Sequence, residues 1–191
     1  KMKIGVIGVG RLGQDCAEVM AENGHEVSGY DINPFESDSI TQVETIEELV
    51  KDKQYVFVSV PTPHDPAYDG STPAMHLEPK DFDYTIAKSV IEEANTYMND
   101  SQSIILISTV MPGTIRNQII PLVTNTKFVY NPYLIAMGTI RWDMVNPEMI
   151  MIGTEDGSKT GLASDLSFFY SSFMDNNPRT VIGTWEEIET M

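Results

Sequence analysis

Lys3–Asp31 reads KIGVIGVGRLGQDCAEVMAENGHEVSGYD, and it constrains the fold more than any other stretch of the 191-residue chain. The apolar run Ile4–Ile7 predicts a strand. Gly8-x-Gly10-x-x-Gly13 follows, overlapped by Leu12, Cys16, Val19 and Met20 at helical spacing. A second short strand, Glu26–Tyr30, ends on Asp31. In such a strand–turn–helix–strand unit each glycine has its own task. Gly8 permits the tight turn, Gly10 leaves room for a pyrophosphate against the backbone, and Gly13 lets the helix pack closely on the strand. The helix N-terminus adds unpaired N–H groups and a partial positive charge. An aspartate about 20 residues beyond the glycines accepts hydrogen bonds from the adenosine ribose and repels a 2′-phosphate. The expected cofactor is therefore NAD rather than NADP, held by Gly8, Gly10, the helix N-terminus at Arg11 and Asp31. The alternative is a glycine-rich turn with a purely structural role.

Charge narrows the partners. Twenty-eight acidic residues stand against 12 basic ones, a net charge of −16. A field of that sign argues against nucleic acid and against anionic membranes. Phosphates would have to be held by backbone N–H groups and a few local cations, with Arg11 the best placed. No stretch approaches the roughly 18–20 apolar residues of a membrane span. The opening residues lead straight into a strand, so no secretory leader is expected. Cys16 is the single cysteine. It excludes an internal disulfide and fits a cytoplasmic location, with its side chain packed towards the sheet. The charge, with no evident large exposed apolar patch, leads to the expectation of a monomer for this length of chain.

Further along, Ser39–Thr45 is polar and irregular, and Thr45 with Glu48 predicts a capped short helix through Val50. Tyr55–Val60 is apolar and β-favouring, the pattern of a strand covered on both faces. It ends in Pro61-Thr62-Pro63, where the chain leaves the sheet. His64–Pro79 is a long loop whose two histidines, His64 and His76, have no third ligand at a recognisable spacing, so no metal is expected. Asp81–Tyr97 predicts a helix with Ile86, Val90, Ile91, Ala94 and Tyr97 inward. Ser103–Ser108 is a second covered strand. Thr114–Val123 predicts a helix with Ile115, Ile119 and Leu122 inward, and Lys127–Tyr130 a strand. Tyr133–Trp142 is a loop or short helix, Met149–Gly153 a strand, Thr160–Phe173 a helix, and Val181-Ile182 a last short strand. Strands alternating with helices predict an α/β architecture, a Rossmann-like, doubly wound, mostly parallel sheet with helices on both faces. Ligands of such sheets sit beyond the carboxyl ends of the strands. Gly8–Leu12, Val60–Pro63 and Ser108–Thr109 should therefore line one crevice.

At these strand ends the chain resembles the UDP-glucose/GDP-mannose dehydrogenase family, whose members oxidise the C6 alcohol of a nucleotide sugar to a carboxylate with two NAD. The resemblance rests on GVIGVGRLG at 5–13, YD at 30–31, SVPTP at 59–63, STVMPGT at 108–114 and NPYLIAMGT at 131–139. It continues through D-x-x-x-P at 143–147, IMIG at 150–153 and PRTVIG at 178–183. It implies that the whole turn Gly8–Leu12, Val9 and Leu12 included, holds the pyrophosphate, and that Val60, Pro61 and Thr62 line the adenine and ribose side of the site. It implies that Thr109 lies by the nicotinamide and the reacting carbon, as a catalytic residue that helps orient a water. Tyr133 and Leu134 fall on the segment that contacts substrate. The family further implies a nucleotide-sugar partner and a dimer for the full-length enzyme.

Three departures accompany the resemblance. Where the family has N-P-E-F-L-x-E-G, this chain has Tyr133 and Met137 in place of the two glutamates. A tyrosine is a poor base at neutral pH. The segment after Asp31 is shorter and lacks the family's E-P-G-L helix start. Aldehyde oxidation needs a thiolate, and the family's cysteine lies in the half beyond a central helix. TWEEIETM at 184–191 resembles the start of that helix, so the expected division is an NAD-binding domain over 1–183 and the helix start over 184–191. The expected function is the NAD-binding domain of a nucleotide-sugar 6-dehydrogenase, inactive alone in the thiol-dependent step. A non-catalytic NAD-binding module and the N-terminal domain of a β-hydroxyacid dehydrogenase are the alternatives.

Overall fold

The computed structural model describes residues 1–61, 83–133, 140–147, 149–159, 161–176 and 178–191. Its described strands are β1 (Lys3–Ile7), β2 (Glu26–Tyr30), β3 (Thr41–Gln42), β4 (Tyr55–Val58), β5 (Ser103–Leu106), β6 (Lys127–Tyr130), β7 (Met149–Thr154) and β8 (Arg179–Thr184). They form one sheet in the order β3-β2-β1-β4-β5-β6-β7-β8. From β3 to β6 all neighbours are parallel. β7 then reverses, pairing antiparallel to β6 at Tyr130 and Gly153, and β8 follows β7 in parallel. The sheet is thus mostly parallel, as expected, with its last two strands turned over.

Period-two alternation within the apolar strands divides the core between two helical layers. Ile4, Val6, Tyr55, Phe57 and Ile105 face α1 (Arg11–Glu22), α4 (Ile140–Val145) and α5 (Leu162–Ser171). Ile7, Val56, Val58, Ile104 and Leu106 face α2 (Ile46–Val50), α3 (Thr85–Tyr97) and α6 (Trp185–Glu189). Covering on both faces explains why β4 and β5 are apolar at nearly every position.

The structure corrects several sequence expectations. β3 interrupts the segment expected to be irregular; its two exposed polar residues carry no apolar signal. α3 buries Ile91 and Ala94 as expected, with Ala87 besides, and packs Val90 in part, while Ile86 and Tyr97 are exposed. The helix expected over 114–123 is a π-helical turn, Ile115–Ile119, followed by a 3-10 turn, Ile120–Leu122. Pro121 is the local reason: it has no N–H to donate back, so regular α pairing cannot pass through it. Ile115 and Ile119 are buried there, and Leu122 only in part. β8 is longer than the expected Val181-Ile182. Thr45 caps α2 as expected, its hydroxyl accepting from the Glu48 N–H at 3.1 Å.

Candidate functional site

The carboxyl ends of β1, β2, β4 and β5 enclose a cleft of about 680 Å³. Gly8–Gly13, Asp31, Val60, Pro61, Thr109 and Tyr133 all line it. Of the residues expected at the site, only Thr62 and Leu134 fall outside the described residues, as do the histidines of the 64–79 loop. Thr109 is exposed on the cleft wall.

The glycine turn has the geometry a dinucleotide needs. Gly8 adopts φ +95°, and a Cβ there would stand 2.2 Å from the Ser59 carbonyl oxygen. A Cβ on Gly13 would stand 1.9 Å from the Gly8 carbonyl oxygen, which is the close helix–strand approach expected of that position. Gly10 differs: a Cβ there meets nothing within 4 Å, so the hydrogen leaves a cradle open to the cleft. α1 starts at Arg11 with no side chain capping it and no acidic residue in its first turn. Its leading N–H groups are therefore available to an anion. Arg11 is exposed on the same rim.

Asp31 is held by two backbone donors. Oδ2 accepts from the Val9 N–H at 2.9 Å, and Oδ1 accepts from the Asn33 N–H at 2.8 Å. The carboxylate is fixed beside the glycine turn, half-buried and acceptor-only, as a pair of ribose hydroxyls requires. These residues fit NAD: amides and open space for the pyrophosphate, a carboxylate for the ribose.

Apolar residues near Asp31 also line the cleft, beyond those expected from sequence. Ile32, 85% exposed, follows Asp31 directly, and Ile86 and Val90 of α3 line the cleft. The position of Ile32 next to Asp31 was a usable signal. Ile86 and Val90 stand one turn apart, and the apolar stripe of α3 is wider than its buried face.

Tyr133 lines the cleft with its hydroxyl turned inward, 2.6 Å from that of Tyr170. Tyr170 donates to Asn131 Oδ1, and Asn131 Nδ2 donates to the Met151 carbonyl at 2.7 Å. Because the Tyr170 proton is used on Asn131, Tyr133 is the donor to Tyr170. Burial pushes both phenols well above their ordinary range, so neither is a base. Cys16 is buried and its thiol is likewise pushed up by burial, so it is inert.

Residues 35–174 match the model of the UDP-glucose/GDP-mannose dehydrogenase family, NAD binding domain. The chain belongs to this family. A second model, the D-isomer specific 2-hydroxyacid dehydrogenase NAD binding domain, matches residues 1–67, the part that carries the glycine turn and Asp31. Both are NAD-binding domains, and NAD is the family's cofactor here. An uncharacterized protein of Methanocaldococcus jannaschii is 27% identical over 98% of this chain and 23% of its own length. GDP-mannose 6-dehydrogenase of Pseudomonas aeruginosa is 24% identical over 86% of this chain and 44% of its own. The crystal structure of a ternary complex of GDP-mannose dehydrogenase from the same species superposes with a TM-score of 0.78 at 20% identity, covering 99% of this chain and 48% of that one. The chain thus spans less than half the length of these dehydrogenase relatives. No helix among the described residues is long and apolar enough to cross a membrane.

Proposed function

We propose that this family member forms the NAD-binding half of a nucleotide-sugar 6-dehydrogenase, with residues 1–183 as the cofactor domain and 184–191 leading into a central helix. The observation that carries this reading is the convergence of Gly8–Leu12, Asp31, Val60, Pro61 and Thr109 on one cleft. Within it the N-terminus of α1 holds the pyrophosphate and Asp31 holds the adenosine ribose. Bound NAD supplies the hydride acceptor for C6 of the sugar. Thr109 stands at the nicotinamide end, where its hydroxyl orients a water. Tyr133 contributes an aromatic surface towards the sugar rather than a proton. The whole protein is cytoplasmic and dimeric, and the 191 residues alone are monomeric.

Calorimetric titration tests the cofactor assignment. NAD binds, NADP binds at least about tenfold more weakly, and Asp31→Ala removes most of that preference. Equal binding of both dinucleotides would overturn the role given to Asp31.

One observation favours a second reading, a non-catalytic NAD-binding module. Tyr133 occupies the position of a family glutamate, and its hydroxyl is committed to Tyr170. Turnover of UDP-glucose or GDP-mannose by the whole protein supports the enzyme; NAD binding with no turnover of any nucleotide sugar supports the module.

A further inference from the structure

Thr109 stands where the chain has left β5 and has not yet entered the turn at Ile115, so the amides around it have no ladder or helix to join. Side chains serve them instead. The Val110 N–H donates to the Tyr130 hydroxyl at 3.2 Å, and the Met111 N–H donates to the Tyr84 hydroxyl at 2.7 Å. On the other side of Thr109, the Ser108 hydroxyl donates to the Val60 carbonyl at 2.7 Å.

We propose that Tyr84 and Tyr130 are positioning residues that aim Thr109 into the cleft. This rests on the reading of Thr109 as the group at the nicotinamide end. Both rings are fixed by packing, with Tyr84 3% and Tyr130 1% exposed, so each phenolic oxygen is a stationary acceptor. They reach the chain from separate elements, one from the entry to α3 and one from β6. Together they set the tilt of two successive peptide planes. With Ser108 tied to Val60, the residues on both sides of Thr109 are held, and Thr109 itself lines the cleft. Removing a phenolic oxygen leaves a buried or half-buried N–H without an acceptor, and the loop turns to find one in water.

Tyr84→Phe and Tyr130→Phe keep the ring and remove the hydroxyl that accepts from the Met111 or Val110 N–H. NADH and ADP-ribose affinities are measured by calorimetry for both variants and for Thr109→Val, alongside thermal unfolding. ADP-ribose touches only the half of the site held by the glycine turn and Asp31. Each tyrosine variant binds NADH about three- to tenfold more weakly and ADP-ribose within about twofold of the parent. Thr109→Val shifts the same ratio. A lowered melting temperature with an unchanged ratio means that the tyrosines hold only the fold, and overturns the proposal. If Thr109→Val leaves the ratio unchanged, Thr109 does not serve the nicotinamide, and the reading beneath the proposal falls with it. If Thr109→Val moves the ratio and the tyrosine variants do not, the reading stands and the positioning role falls.

Discussion

Two glycines in one turn do opposite things, and alanine separates them. At Gly13 the obstacle to a methyl group is the Gly8 carbonyl at 1.9 Å, which is backbone and cannot swing aside. Gly13→Ala should destabilise the fold by about 3 kcal/mol, read from thermal or denaturant unfolding. At Gly10 nothing protein-borne lies within 4 Å of the added methyl. Gly10→Ala should therefore melt within about 0.5 kcal/mol of the parent and yet bind NAD at least about tenfold more weakly, because the methyl occupies the pyrophosphate's space. Loss of stability at Gly10, or retained affinity, would contradict the cradle. Sequence spacing was enough to place the close helix–strand approach at Gly13, since the motif encodes backbone approach directly. The inward hydroxyl of Tyr133 was not legible, because its partner Tyr170 lies 37 residues away and follows from tertiary packing alone.

At the level of elements, α6 is tied to the turn that follows the Thr109 loop. Glu189 is 8% exposed, and its Oε2 accepts from the Ile115 N–H at 3.0 Å. Arg116 pairs with Glu186 at 3.0 Å and lies 4.9 Å over the Trp185 ring. Burial pushes the Glu189 carboxyl above its ordinary 4.5, against the pull of the Ile115, Gly113 and Thr114 amides; the Glu186 carboxylate adds to the rise. The folded chain then keeps a proton that the unfolded chain releases. Stability from this group is full below pH 4.5 and falls as pH rises through the folded value. Glu189→Gln should flatten the decline in melting temperature from pH 4.5 towards neutrality, measured as a pH series of unfolding curves. An unchanged slope would assign the decline to other groups. The covered strands were legible because burial on both faces demands unbroken apolar runs. β3 and the π-helical turn were not, because one has no apolar residue and the other is set by a proline inside an otherwise helical pattern. The reversal of β7 left no local mark, since parallel and antiparallel covered strands read alike.

For the whole molecule, the net charge of −16 works against an anionic ligand at long range. The Debye length falls from about 30 Å at 0.01 M salt to about 8 Å at 0.15 M, so added salt removes repulsion from distant carboxylates before it weakens contacts inside the cleft. NAD affinity should rise by about two- to threefold over that range, the reverse of the trend at a basic site. A steady fall with salt would show that Arg11 and the α1 amides outweigh the overall field. The turned-over pair β7 and β8 has a different consequence. Because Gly153 is level with Tyr130, and Gly183 with Gly153, β8 finishes at the same edge of the sheet as the strands that frame the cleft. A β7 parallel to β6 would reach that edge heading outward, whereas the reversed pair reaches it heading back over the sheet. Any segment joined behind Met191 is tethered to this domain through α6, which is held to the turn that follows the Thr109 loop. Its effective concentration is on the order of millimolar, so even weak contacts from such a segment would be occupied without high intrinsic affinity.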